Sequence, residues 1–228
     1  MPSASRSRSP SWRWRLRPVA SGELPARAAL ALGGVLAAAA FAGAAALGLG
    51  SVAFLGGFLV LQGAYTAGLK HVVLIDVLAI AGLFVLRAGA GAEAVDVRIS
   101  PWLLICTGLL ALFLALAKRR AELVLVGAEE TPGRPVLEGY SLVLVDQLVS
   151  IVAASTVIAY SLYTFTARDS KAMMATVPFV LYGVFRYLLL LHRHDLGEEP
   201  ESVLLTDVPL LLTIVSWAAT SATVLALT

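Results

Sequence analysis

Lys70, Asp76 and Arg87 stand at the mouth of, or inside, one apolar run, YTAGLKHVVLIDVLAIAGLFVLR (65–87). On a helix turning about 100° per residue, Asp76 and Arg87, eleven positions apart, fall within roughly 20° of one face. A carboxylate in hydrocarbon costs at least about 2.5–3.5 kcal/mol, so Asp76 must face a partner, water or a ligand. The run therefore has to line the interior of a helical membrane protein, with its chemistry at the Lys70/Asp76 end.

Further charges are expected at the same depth. Asp146 is about one turn into a later apolar run, Arg186 is near the end of another, and Lys118, Arg119 and Arg120 close a third, followed by Glu122. Lys70, Lys118, Arg119 and Arg120 suit a polyanion such as a diphosphate, with the arginines giving bidentate contacts. Asp76, Asp146 and Glu122 can hold a magnesium ion bridging that group or act on a hydroxyl or phosphate nucleophile. The plainer alternative is that Asp76 or Asp146 pairs with Arg186 and only fixes helix register. Arg87 can snorkel outward or pair with Glu93. Tyr65 and Tyr140 read more simply as interfacial aromatics, and Gly89 and Gly91 as a helix C-cap. His71, His192 and His194 do not make a convincing zinc site, and no GxxxxGK[ST] phosphate loop is present.

The elements that must position these groups follow from composition. The 228 residues are 59% hydrophobic and 14% charged, with a mean hydropathy of +0.86. A soluble domain is nearer 45–50% apolar and about 25% charged. Seven hydrophobic segments, 28–49, 51–69, 72–91, 101–117, 142–165, 172–191 and 203–227, have the length a bilayer of about 30 Å requires of a helix. The fold class is thus an all-α integral membrane protein. A basic, Arg/Ser/Pro-rich arm (1–27) precedes a transmembrane helical domain (28–228). Cys106, the single cysteine, lies in an apolar run and has no partner for an internal disulfide.

Orientation follows from the lysines and arginines. Assigning loops alternately to the two sides puts about twelve of them on the side of the N-terminus and three on the other. The positive-inside rule then makes the N-terminus cytoplasmic, with Lys70 and the loops 118–141 and 192–203 on the same side.

The blocks RPVASGELPARAAL (17–30), YTAGLKHVVLIDVLAIAGLFVLRAGAGA (65–92), ISPWLL (99–104), LALAKRRAEL (114–123) and VPFVLYGVFRYLLL (177–190) resemble the UbiA-type prenyltransferase superfamily. Within it they look most like the decaprenyl-phosphate phosphoribosyltransferase branch. The resemblance implies a multi-pass protein of the bacterial inner (plasma) membrane and a magnesium-dependent transfer from phosphoribosyl diphosphate to a polyprenyl phosphate. It implies Lys70 and Asp76 as catalytic residues, with Lys118, Arg119, Arg120 and Glu122 lining a cytoplasmic cavity. Arg17 would bind substrate beside the first metal motif; Asp146 and Arg186 rest more on the depth argument. Members of the family have nine spans and a first Asp-rich motif before the position of Arg17. Here MPSASRSRSPSWRWRL precedes Arg17, without an Asp. The expectation is an N-terminally truncated or mis-started member, impaired by loss of that motif. The alternatives are a non-catalytic remnant that binds prenyl lipid, or a UbiA-type transferase with another acceptor. A transporter is disfavoured because neither paired repeats nor broken helices are evident.

Overall fold

The structure, a computed structural model, describes residues 25–129, 135–166, 171–193 and 206–227. The arm expected over 1–27 lies almost wholly outside the described residues, as does Arg17. Among the described residues all regular structure is helical. Seven helices are long and apolar enough to cross a membrane, as the segment lengths require, and the protein is a multi-pass membrane protein. They are α1 (Ala26–Leu47), α2 (Leu49–Ala67), α3 (Ile75–Ala94), α4 (Pro101–Glu129), α5 (Leu142–Thr166), α6 (Val177–Arg193) and α7 (Val208–Leu227). In hydrocarbon a helix satisfies every backbone N–H and C=O within its own segment, which is why apolar runs of this length adopt it.

The chain divides into two compact units between Val52 and Ala53. The first contains α1 and the opening turn of α2. The second holds the rest of the chain and one hydrophobic core, in which Val77 of α3, Phe113 and Leu116 of α4, Val145 and Val149 of α5, Tyr187 of α6 and Leu210 of α7 meet. The Phe113 and Tyr187 rings lie 5.2 Å apart and tilted, a favourable aromatic arrangement.

Three differences from the segment reading bear on function. The third helix begins at Ile75 rather than near 72, because Leu69–His71 forms a short 3-10 turn and Leu74 has φ +66°. The fourth runs on past Lys118 to Glu129, so at 1.5 Å per residue it is about 43 Å long and carries KRRAEL as helix. Gly89 and Gly91 lie inside α3 and do not cap it. A Cβ on Gly89 would meet Phe54 Cε1 at 2.5 Å, so this glycine allows α2 and α3 to close on each other.

Candidate active site

Asp76 occupies the first turn of α3, where the helix dipole favours a negative charge. Its side chain is 0% exposed, and both oxygens are taken. Arg119 Nε of α4 donates to Oδ2 at 2.7 Å, and the Tyr140 hydroxyl donates to Oδ1 at 2.7 Å. Arg119 is itself 2% exposed and donates through Nη1 to Glu122 one turn on. Such a pair survives burial only when its geometry is good and its remaining donors and acceptors are met. Here the guanidinium bridges two carboxylates and the tyrosine supplies a further donor.

Tyr140 follows the 3-10 turn Pro135–Gly139 and is buried. Its hydroxyl also accepts the backbone N–H of Leu74 at 2.8 Å. Burial, helped by the hydrogen bond to Asp76, pushes the Tyr140 hydroxyl up to about 12. Gly139 makes the approach possible, since a Cβ there would run into the Val73 side chain. Tyr140 is therefore not an interfacial belt residue but part of the Asp76 site.

Arg120, the next residue of α4, serves different helices. Its Nε donates to Asp146 Oδ1 of α5 at 2.6 Å, and its Nη1 to the Leu191 carbonyl of α6 at 2.9 Å. His192 Nε2 lies 3.7 Å from the same Asp146 oxygen. Arg186 of α6 pairs with neither Asp76 nor Asp146. It holds Asp207 in a two-point contact, Nε to Oδ1 at 3.2 Å and Nη2 to Oδ2 at 2.8 Å. Asp207 Oδ1 also accepts the Leu210 N–H at 2.9 Å, capping the start of α7. The Arg186 guanidinium holds the Asp207 carboxyl below its ordinary value.

Ion pairs and hydrogen bonds thus clasp α3 to α4, α4 to α5 and α6, and α6 to α7 at one end of the bundle. The arginines expected to grip an anion are committed to carboxylates. The lysines are not: Lys70, in the 3-10 turn before α3, and Lys118 on α4 are half-buried, and neither forms an ion pair with another described residue. Arg87 lies over the Phe58 and Phe84 rings, 5.0 and 5.6 Å from their centroids, and forms no ion pair with Glu93.

Between α4, α5, α6 and α7 lies a cavity of about 630 Å³, walled mostly by apolar side chains including Leu110, Phe113, Leu114, Val184 and Trp217. On α4 its wall ends at Leu114, four residues or about 6 Å of helix before Lys118.

The model of the UbiA prenyltransferase family matches residues 8–206. The chain belongs to that family. It is 30% identical over 218 residues to a decaprenyl-phosphate phosphoribosyltransferase of Mycolicibacterium smegmatis, covering 90% of this chain and 68% of the relative. The Mycobacterium tuberculosis protein of that name is 30% identical over 210 residues, with the same coverage. That of Corynebacterium glutamicum is 30% identical over 212 residues, covering 89% of this chain and 63% of its own. The resemblance to this branch of the UbiA family is thereby established, and with it a prenyltransferase-type function. Among the described residues of this UbiA chain, no three His, Cys, Asp or Glu side chains converge as a metal-holding group. Asp76 and Glu122 are both bound to Arg119. The described residues therefore do not by themselves fit a resident magnesium ion.

The sequence reading misses Asp207 altogether and gives Tyr140 a different role, that of an interfacial aromatic. Asp207 had a local signal, an Asp two residues before Pro209 at a helix start. The pairing of Tyr140 had none, because its partners Leu74 and Asp76 are 66 and 64 positions away.

Proposed function

We propose that this chain transfers phosphoribose from phosphoribosyl diphosphate to a polyprenyl phosphate at the cytoplasmic face of a bacterial inner membrane. The N-terminus is then cytoplasmic and the clasped end of the bundle faces the cytoplasm. The observation that carries the reading is the juxtaposition on α4 of Lys118, a cation paired with no other described residue, with the end of an apolar cavity. A lipid phosphate whose tail occupies such a cavity is brought toward a positive charge about 6 Å of helix beyond its wall, and cavities of about 300–1,000 Å³ are of ligand size. The names of the 30%-identical relatives support the donor and acceptor.

Lys70 and Lys118 serve as the anion contacts. They favour the charge that builds on the leaving diphosphate while the lipid phosphate attacks the sugar carbon. Arg119, Arg120 and Arg186 set the frame through Asp76, Asp146 and Asp207. Asp76, inaccessible and doubly hydrogen-bonded, acts through Arg119 and not as a group touching substrate. Magnesium, implied by the family resemblance, has no ligand set among the described residues, so no step is assigned to it.

The test is pyrophosphate release by the full chain in liposomes supplied with phosphoribosyl diphosphate, polyprenyl phosphate and magnesium. Release that requires both substrates supports the proposal, and its absence rejects the donor assignment. A non-catalytic protein that binds prenyl lipid is the second reading, favoured by the lack of converging metal ligands among the described residues. Binding of polyprenyl phosphate without any pyrophosphate release selects it.

A further inference from the structure

Five groups, joined by four hydrogen bonds, form one unbroken polar chain. The Leu74 N–H donates to the Tyr140 hydroxyl, and that hydroxyl donates to Asp76 Oδ1. Asp76 Oδ2 accepts from Arg119 Nε, and Arg119 Nη1 donates to Glu122 Oε2. The buried members cannot meet a ligand: the Arg119 and Asp76 side chains are 3% and 0% exposed. Glu122 is different. Its side chain is 21% exposed, and its other oxygen, Oε1, takes no hydrogen bond from the described residues. A carboxylate with one oxygen fixed by a guanidinium and the other open accepts a hydroxyl proton in a defined direction. Sugar hydroxyls are among the donors such an acceptor takes.

The chain begins at a strained point. Leu74 has φ +66° and ψ −38°, a conformation unfavourable for a non-glycine residue, which persists only when its surroundings fix it. The Tyr140 hydroxyl fixes this turn and the carboxylate two residues later at once. A phenylalanine in its place would fill the same space and leave Asp76 Oδ1 with no donor.

We propose that Tyr140 is a positioning residue for the sugar of the donor. Through Asp76 it orients Arg119, and through Arg119 it holds Glu122 with Oε1 toward a ribose hydroxyl. The inference rests on the phosphoribosyl-transfer reading and adds to it a residue that touches no substrate and a carboxylate that reads the pentose.

The experiment measures binding of phosphoribosyl diphosphate with magnesium to the full chain in detergent micelles by calorimetry, with the melting temperature of each variant recorded alongside. Tyr140→Phe should weaken binding about tenfold or more, the worth of one hydrogen bond to a charged group, and Glu122→Gln by a similar factor. Asp76→Asn should weaken it further, and Tyr140→Phe combined with Asp76→Asn should be no weaker than Asp76→Asn alone, because both act along one route. Leu137→Ala thins the packing of the same loop without touching the chain of hydrogen bonds, so it should lower the melting temperature and leave binding unchanged. Equal binding by wild type and Tyr140→Phe, or losses that multiply in the double variant, would overturn this inference and leave the transfer reading standing. Failure of the wild-type chain to bind the donor would overturn the transfer reading, and the inference with it.

Discussion

The Tyr140 hydroxyl donates a hydrogen bond to Asp76 across 64 positions of sequence, at 2.7 Å and out of reach of solvent. The contact joins the segment between α4 and α5 to the first turn of α3, and it accounts for one of the two oxygens of a carboxylate that must not be left bare.

Removing Arg119 leaves the buried Asp76 carboxylate without a counter-charge, and removing Asp76 leaves the buried Arg119 guanidinium with only the partly exposed Glu122. Asp76→Ala or Arg119→Ala should each destabilise the protein by about 3–5 kcal/mol. Replacing the two together by apolar residues, Asp76→Leu with Arg119→Met, should cost less than either single change. Thermal unfolding in detergent, followed by circular dichroism, checks the order; a double variant weaker than both singles would contradict it.

Alkaline pH should loosen the same region. The Tyr140 hydroxyl is raised from 10.0 to about 12 in the folded protein, so the folded state favours the protonated form. That contribution is whole below pH 10 and is lost as pH rises through about 12. Unfolding curves of wild type should therefore show an alkaline loss that Tyr140→Phe lacks, on a baseline lower by about 1–2 kcal/mol from the unmet Leu74 N–H and Asp76 oxygen.

Asp207 predicts the opposite limb. Its carboxyl is held below 3.8, chiefly by the Arg186 hydrogen bond, so what it adds to stability is present above that value and is lost as pH falls through the lowered one. Hydrogen exchange at the Leu210 amide, which Asp207 caps, should quicken in acid. Asp207→Asn, keeping a capping oxygen without the charge, should exchange faster than wild type at neutral pH and slower than Asp207→Ala.

The lysines should behave unlike the arginines. Lys70→Ala and Lys118→Ala should weaken binding of the diphosphate donor about tenfold or more, as expected for a hydrogen bond to a charged group, with little change in melting temperature. Arg120→Ala should lower the melting temperature as well, since it unfastens Asp146 and the Leu191 carbonyl. Calorimetry paired with thermal unfolding separates the two classes.

Gly89 offers a test of packing alone. Gly89→Ala should destabilise by about 1–3 kcal/mol through overpacking, because the new methyl would meet Phe54. Adding Phe54→Leu should restore part of the loss in the same unfolding assay.

The architecture was legible because hydrocarbon leaves few choices: seven apolar stretches of bilayer length had to become helices. The gathering of Asp76, Arg119, Arg120 and Asp146 at one end was legible too, since alternating spans bring those positions to one side. Which cation meets which carboxylate was harder. Arg119 and Arg120 were read as a shared anion grip, yet neighbours on a helix point about 100° apart, and that alone sends them to different helices. Arg186 was set against Asp76 or Asp146 because the Asp at the head of α7 went unweighed. Tyr140 could be placed at the interface but not against Asp76, for nothing in RPVLEGY states where a returning loop will land.

Because Arg119 and Arg120 are consecutive, a single stretch of α4 works as the axle on which its neighbours are mounted. Inserting or deleting one residue upstream of Lys118 within α4 would rotate both spokes together and free α3, α5 and α6 in one stroke. Length changes beyond Val124 leave those two bearings where they are. The tolerance of α4 to gained or lost residues should therefore switch abruptly at that point.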